Sequence, residues 1–178
     1  MEYLLDSTQY ILTGCTVTLK LFFITLFVSM PVGFACAMGK TSRWWALRGL
    51  MEVYTSVVRG TPLLLQIFFV YYGLPILFPE LRMERFNAAV FTFILNYGAY
   101  FTEIFRGGIQ SIDRGQYEAS QVLGMSYFQT MRRIVLPQTV KRVLPPVANE
   151  AITLVKDTAL VVVLGIGDIL RNSKEIVA

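Results

Sequence analysis

From Leu21 to Gly39 no ionisable residue interrupts the chain, and the same holds from Gly60 to Pro79 and from Phe86 to Thr102. A helix crossing about 30 Å of hydrocarbon needs roughly 20 apolar residues, with about 17 as a working minimum. Each run therefore predicts a membrane-spanning helix. A fourth run, Val143 to Gly167, has the length but carries Glu150, Lys156 and Asp157 inside it. Pro31 and the Pro145-Pro146 pair predict kinks in the first and fourth spans. Thr61-Pro62 reads as an N-cap followed by proline at the first helical position, opening the second span. Between the first two runs, Trp44, Leu47, Met51, Tyr54 and Val58 recur at three- and four-residue steps. That period predicts an amphipathic helix lying along the inner membrane surface, with Trp44 and Trp45 in the headgroup layer.

The charges between the runs set an orientation. Lys40, Arg43, Arg48 and Arg59 separate the first two, and Arg106, Arg114, Arg132, Arg133, Lys141 and Arg142 separate the third from the fourth. The loop holding Glu80, Arg82, Glu84 and Arg85 is balanced. By the positive-inside rule the first and third connections are cytoplasmic, which puts the N-terminus outside and, after four crossings, Ala178 outside as well. The segment Met1 to Tyr10 carries Glu2 and Asp6 and no basic residue, the reverse of a signal-peptide n-region.

Composition narrows the function classes. The chain is 54% hydrophobic and 16% charged, against roughly 25% charged in ordinary globular domains. Such a chain is not disordered, and its net charge of +4 reads as basic loops of a membrane protein rather than a nucleic-acid surface. There is no histidine, so triad hydrolases and histidine metal sites are excluded and no metal site is expected. Cys15 and Cys36 would lie about 30 Å apart on one helix, too far for a disulfide. Gly39-Lys40-Thr41 resembles the end of a phosphate-binding loop, but the first glycine that loop requires falls on Phe34. ATP binding is not expected on this chain, and neither is catalysis.

The stretch from Gly107 to Pro137 is too polar to span and too regular to be slack. Glu118 to Leu123 suits a short helix that Gly124 can stop in the left-handed conformation. Ser126 with Gln129 three residues on is a capping-box pattern for a second helix, which should end near Pro137. Taken alone, the stretch is either a rigid two-helix knob or a solvated loop with incidental helicity.

Here the residues carry a resemblance. Glu118-Ala119-Ser120, then Gly124, then Ile134-Val135-Leu136-Pro137 resembles the EAA loop of the membrane subunits of ABC importers. Arg59-Gly60-Thr61-Pro62-Leu63, Phe105-Arg106-Gly107-Gly108-Ile109 and Lys156-Asp157-Thr158-Ala159-Leu160 are similar to the polar amino acid uptake branch of that family. The likeness runs from about Gly14 to Glu175, with Ser120 where the family usually has a second alanine. It implies an all-α polytopic membrane protein with a MetI-like permease core in a single domain, 1–178. Four spans are visible, and a fifth is expected but absent. It also implies a cytoplasmic coupling loop, 109–137, in which Glu118, Ala119, Ser120 and Gly124 meet the ATPase. The implied partners are an ATP-binding subunit that holds ATP and Mg, a second permease subunit, an extracytoplasmic amino acid binding protein and an amino acid substrate within a lipid bilayer.

The charges inside the fourth run need a reason, since a charge near the bilayer centre costs on the order of 3 kcal/mol by insertion scales. Glu150 and Asp157 are about two helical turns apart and share a face with Thr153. Asn96, Tyr100 and Glu103 share a face of the third span. The acids are either structural, with Asp157 paired to Lys156 or Arg106, or they line a cavity for a cationic group. The resemblance makes the fourth span the place of the substrate, with Glu150, Thr153, Asp157, Asn96 and Tyr100 as its contacts. The alternative is a carrier or channel without ATP, its acids lining an ion path.

Overall fold

The computed structural model describes residues 2–167, with side chains from Leu12 onward. Met1 and 168–178, and with them the expected location of Ala178, lie outside the described residues. Among the described residues every regular element is helical: α1 (Glu2–Lys40), α2 (Trp45–Arg59), α3 (Leu63–Phe68), α4 (Leu74–Leu77), α5 (Arg85–Gln110), α6 (Arg114–Val122), α7 (Tyr127–Thr130) and α8 (Leu136–Asp157). A π-helical turn, Phe69–Gly73, joins α3 to α4, and another, Met131–Val135, joins α7 to α8. A 3-10 stretch, Thr158–Leu164, continues α8.

Two of these helices, Leu12–Lys40 of α1 and α5, are long and apolar enough to cross a bilayer alone. A third crossing exists if α2 and the Leu63–Leu77 stretch count as one broken span, bent by 104°. The second charge-free run is thus helical over Leu63–Leu77, too short to cross alone, and α8 is too polar to pass as a span by composition. The third run extends past its last apolar residue, so Arg106 sits within α5 instead of in a loop.

The bend between α2 and α3 differs from the expected cap. Pro62, not Thr61, is the N-cap of α3 and makes no side-chain cap bond. The Thr61 hydroxyl instead donates back to the Val57 carbonyl at 2.9 Å, and Gln66 Nε2 donates to the Val58 carbonyl at 2.7 Å. These bonds satisfy carbonyls that the end of α2 leaves open. The stripe Leu47, Met51, Tyr54 faces α1 and α5. A methyl at Gly39 would touch Met51 and Leu47, and the Tyr54 hydroxyl donates to the Leu95 carbonyl at 2.6 Å. That face packs inward on α1 and α5, while Leu50, Val53 and Val57 form a second apolar stripe left exposed. Trp44 and Trp45 are exposed as expected.

α5 is the central element. α1, α2, α3 and α8 all pack on it, and it supplies Ala89, Phe93, Tyr97 and Phe101 to a core completed by Leu21, Ile67, Leu154, Val161 and Leu164. The contacts are close because glycines sit at the crossings. A methyl at Gly33 would stand 2.5 Å from Phe101 Cβ, and one at Gly108 would overlap Val143 Cγ1. Gly107, one residue earlier, has nothing within 4 Å of its added methyl. Gly108→Ala should therefore destabilise the folded chain by about 1–3 kcal/mol through overpacking, despite alanine's advantage of roughly 1 kcal/mol over glycine in a helix. Gly107→Ala should be neutral or stabilising. Thermal unfolding of the detergent-solubilised variants checks this, and equal melting temperatures would show that the α5–α8 crossing is not tight.

Candidate functional site

Glu150, Thr153, Asp157, Asn96 and Tyr100 line one cavity of about 600 Å³, together with Tyr97 and the Arg59–Leu64 bend. α8 brings the first three to one face, because residues at i, i+3 and i+7 stack over two turns. α5 brings the aromatic and amide groups opposite. Lys156, one step around α8, is exposed and takes no part in the cavity. Asp157 is paired with neither Lys156 nor Arg106. Its Oδ2 accepts a 2.7 Å hydrogen bond from the hydroxyl of Tyr97, which is 1% exposed. Among the described residues Glu150 has no hydrogen bond or ion pair. Thr153 donates to the Asn149 carbonyl at 3.1 Å, so its oxygen remains free to accept. Asn96 donates to Gln66 Oε1 at 3.0 Å, which ties the floor of the cavity to the α2–α3 bend. Arg59 lies over the Tyr100 ring, 5.2 Å from its centroid, a cation–π contact that holds a positive charge at the rim.

Glu103, on the same face of α5 as Asn96 and Tyr100, falls in a second cavity of about 630 Å³ that also contains Lys40, Arg48, Glu52 and Arg106. Lys40 ends α1 and is buried. Its ammonium reaches Glu103, Glu52 at 3.0 Å and the Thr55 hydroxyl at 2.7 Å. Arg106 holds the other Glu103 oxygen through Nη2 at 2.6 Å and Nε at 3.0 Å. The cluster joins α1, α2 and α5 at one end. Lys40 and Arg106, which sequence counts among loop charges, are thus internal. Arg59 and Gly60 line both cavities. Neither Tyr97 nor Arg59 stands out in the sequence as a site residue. Tyr97 is one more aromatic on an apolar face, and Arg59 enters only as the first residue of a family motif and as a loop cation.

The Gly107–Pro137 stretch forms a braced knob. Asp113 caps α6 by accepting from the Gly115 amide at 2.6 Å, Gly124 adopts φ +69°, and the Ser126–Gln129 capping box is present. The second helix does not end at Pro137: α7 passes through the π turn into α8. Glu118, Ala119 and Gly124 are exposed, whereas Ser120 is 1% exposed. The Ser120 hydroxyl accepts from Thr130 at 2.9 Å, so it locks α6 to α7 instead of facing outward. Gln138 of α8 donates to Gln116 of α6 at 3.1 Å. Val122, Leu123, Tyr127 and Phe128 stand out from the knob, between 71% and 88% exposed. The resemblance to the EAA loop does not single them out.

Comparison with known proteins accounts for this arrangement. The arginine transport system permease protein ArtQ of Bacillus subtilis (strain 168) is 41% identical over 169 residues, 95% of this chain and 77% of that protein. The glutamine transport system permease protein GlnP of Escherichia coli (strain K12) is 37% identical over 168 residues, 94% of this chain and 77% of that protein. The crystal structure of an amino acid ABC transporter with histidines superposes with a TM-score of 0.89 at 35% identity, covering 97% of this chain and 80% of that one. Residues 29–177 match the model of the binding-protein-dependent transport system inner membrane components, and the chain belongs to that family.

Proposed function

We propose that this chain is the membrane-spanning subunit of an ATP-driven importer for polar amino acids, basic ones included. It works beside a second identical or related chain, on an ATP-binding subunit that holds ATP and Mg, and receives substrate from an extracytoplasmic binding protein. The observation that carries the reading is the convergence of Glu150, Thr153, Asp157, Asn96 and Tyr100 on one cavity. Glutamine and arginine, for which the two relatives are named, share an α-ammonium and differ in side-chain charge. Glu150, without a hydrogen bond of its own, is free to take an ammonium. Asp157, oriented by Tyr97 through one oxygen, offers the other to a second donor. Thr153 and Asn96 supply neutral acceptors. Each charge-assisted bond contributes roughly 1.5–3 kcal/mol.

Glu150→Gln and Asp157→Asn keep shape and remove charge, and Tyr97 can still donate to the amide oxygen of the second. Uptake of arginine and the ATP hydrolysis it stimulates should fall about tenfold or more for each, with complex assembly and basal ATP hydrolysis retained. Wild-type rate and half-saturation in both variants would make the acids structural.

The knob within 109–137 is the contact for the ATPase: Glu118, Ala119 and the Gly124 turn, rimmed by exposed Val122, Leu123, Tyr127 and Phe128. Exposed apolar side chains of this size mark an interface rather than a solvated loop. Leu123→Asp leaves the core untouched and should cut co-purification of the ATP-binding subunit and stimulated ATP hydrolysis about tenfold. Normal coupling would reduce the knob to a connector.

Orientation follows the loop charges, with the knob in the cytoplasm and the N-terminus outside. In a background without Cys15 and Cys36, a cysteine at Glu80 should react with an impermeant thiol reagent outside intact cells, and one at Gln129 should not. Labelling of Gln129 alone inverts the topology.

A further inference from the structure

The two cavities adjoin and differ in sign. The first sets Glu150 and Asp157 against one cation, Arg59. The second sets Lys40, Arg48, Arg59 and Arg106 against Glu52 and Glu103. Arg59 and Gly60 belong to both walls, so what separates the cavities there is a guanidinium and a residue with no side chain. The carboxylates of the second cavity are already engaged: Lys40 bonds both, and Arg106 takes the remaining oxygen of Glu103 while its Nη1 donates to Gln110 at 2.6 Å. Two cations are left over. Among the described residues neither Arg48 nor Arg59 has a carboxylate within ion-pair distance, and both lie on one face of α2. Eleven residues of helix are close to three turns, so the two are separated by about 16 Å along that face.

We infer that this basic vestibule is a second station for the transported amino acid, at which the α-carboxylate is held, first by Arg59 and then by Arg48. A guanidinium fork matches a carboxylate with two parallel N–H···O bonds, and the engaged Glu52 and Glu103 do not compete for it. The first cavity recognises the positive end of the zwitterion and the vestibule its negative end. This rests on reading the chain as an amino acid importer, and it adds Arg48 and Arg59 to that path.

The station predicts inhibition from the vestibule side that depends on a carboxylate. The complete transporter is reconstituted in proteoliposomes with ATP inside, and initial uptake is measured against rising internal arginine or agmatine, its decarboxylated counterpart. Glutamine and γ-aminobutyramide form a second pair. Each variant is normalised to its own uptake with no internal amino acid. In the wild type the acid should inhibit at about tenfold lower concentration than the amine, a preference that Arg48→Gln should narrow to about twofold and Arg48→Lys should partly restore. Equal inhibition by acid and amine in the wild type, or an unchanged preference in Arg48→Gln, overturns the proposal. So does loss of the wild-type preference on adding anionic phospholipid, which would assign the vestibule to a lipid phosphate. Glu150→Gln and Asp157→Asn are read with an empty lumen. If they are silent while Arg48→Gln behaves as described, the first cavity's role fails and the vestibule's stands.

Discussion

α5 touches α1 at Gly33 and α8 at Gly108 closely enough that a methyl group at either position would collide with Phe101 or Val143. In lipid there is no hydrophobic drive to bring helices together, since tails are as apolar as side chains, so close van der Waals packing has to do it. The two crossings fix the C-terminal half of α5. They set the distance at which Tyr97 can reach Asp157 on α8 and Glu103 can reach Lys40 on α1. Both cavities lie where α2 and the α2–α3 bend close over that frame. Moving α8 outward by the width of a methyl would part the aromatic wall of the first cavity from its acids.

The same frame gives the knob a mechanical route inward. α7, the π turn and α8 run without a break from Tyr127 to Asp157, about 45 Å at 1.5 Å per residue. Pro137 would end a plain α-helix there, because it lacks an N–H and its ring meets the carbonyl one turn back. The wider π turn over Met131–Val135 comes immediately before and shifts the bonding register. Phe69–Gly73 precedes Pro75 in the same way. α7 of the knob and the face that carries Glu150 and Asp157 therefore lie on one helical run, with no loop between them.

What could be read from the sequence follows from what each signal measures. The capping box at Ser126, the left-handed Gly124 and the shared face of Glu150, Thr153 and Asp157 are local, set by a few residues and a helical period, and all appear in the structure. The charge-free runs located α1 and α5, since long apolar helices have few alternatives. The expectations that differed depended on tertiary partners. Leu47, Met51 and Tyr54 make an amphipathic stripe whether it faces lipid or α5, and only the fold decides. Lys40 and Arg106 count as loop cations until Glu103 and Glu52 are brought to them. Ser120 follows the family pattern as a small residue, but its hydroxyl turns inward to Thr130. Tyr97 and Arg59 could have been found only by asking which groups lie opposite the acids of the fourth run.

Charge within a membrane protein is costly unless it is paired or wetted, and the described charges divide on that line. Lys40, Glu103 and Arg106 are mutually satisfied and hold three helices together. Removing one partner of such a buried set costs about 3–5 kcal/mol, because the remaining charge is stranded. Among the described residues Glu150, Arg48 and Arg59 make no ion pair, although Arg59 rests on the Tyr100 ring, and each lines a cavity large enough for water or a small solute. Unpaired charge facing a cavity is not stabilising in the empty protein. It lowers the free energy only when a ligand of opposite sign arrives, and it does so differently on the two sides of Arg59. On the proposed path a zwitterion would find negative charge in the cavity beside α8 and positive charge in the one beside α1, so its two ends would be recognised in different places.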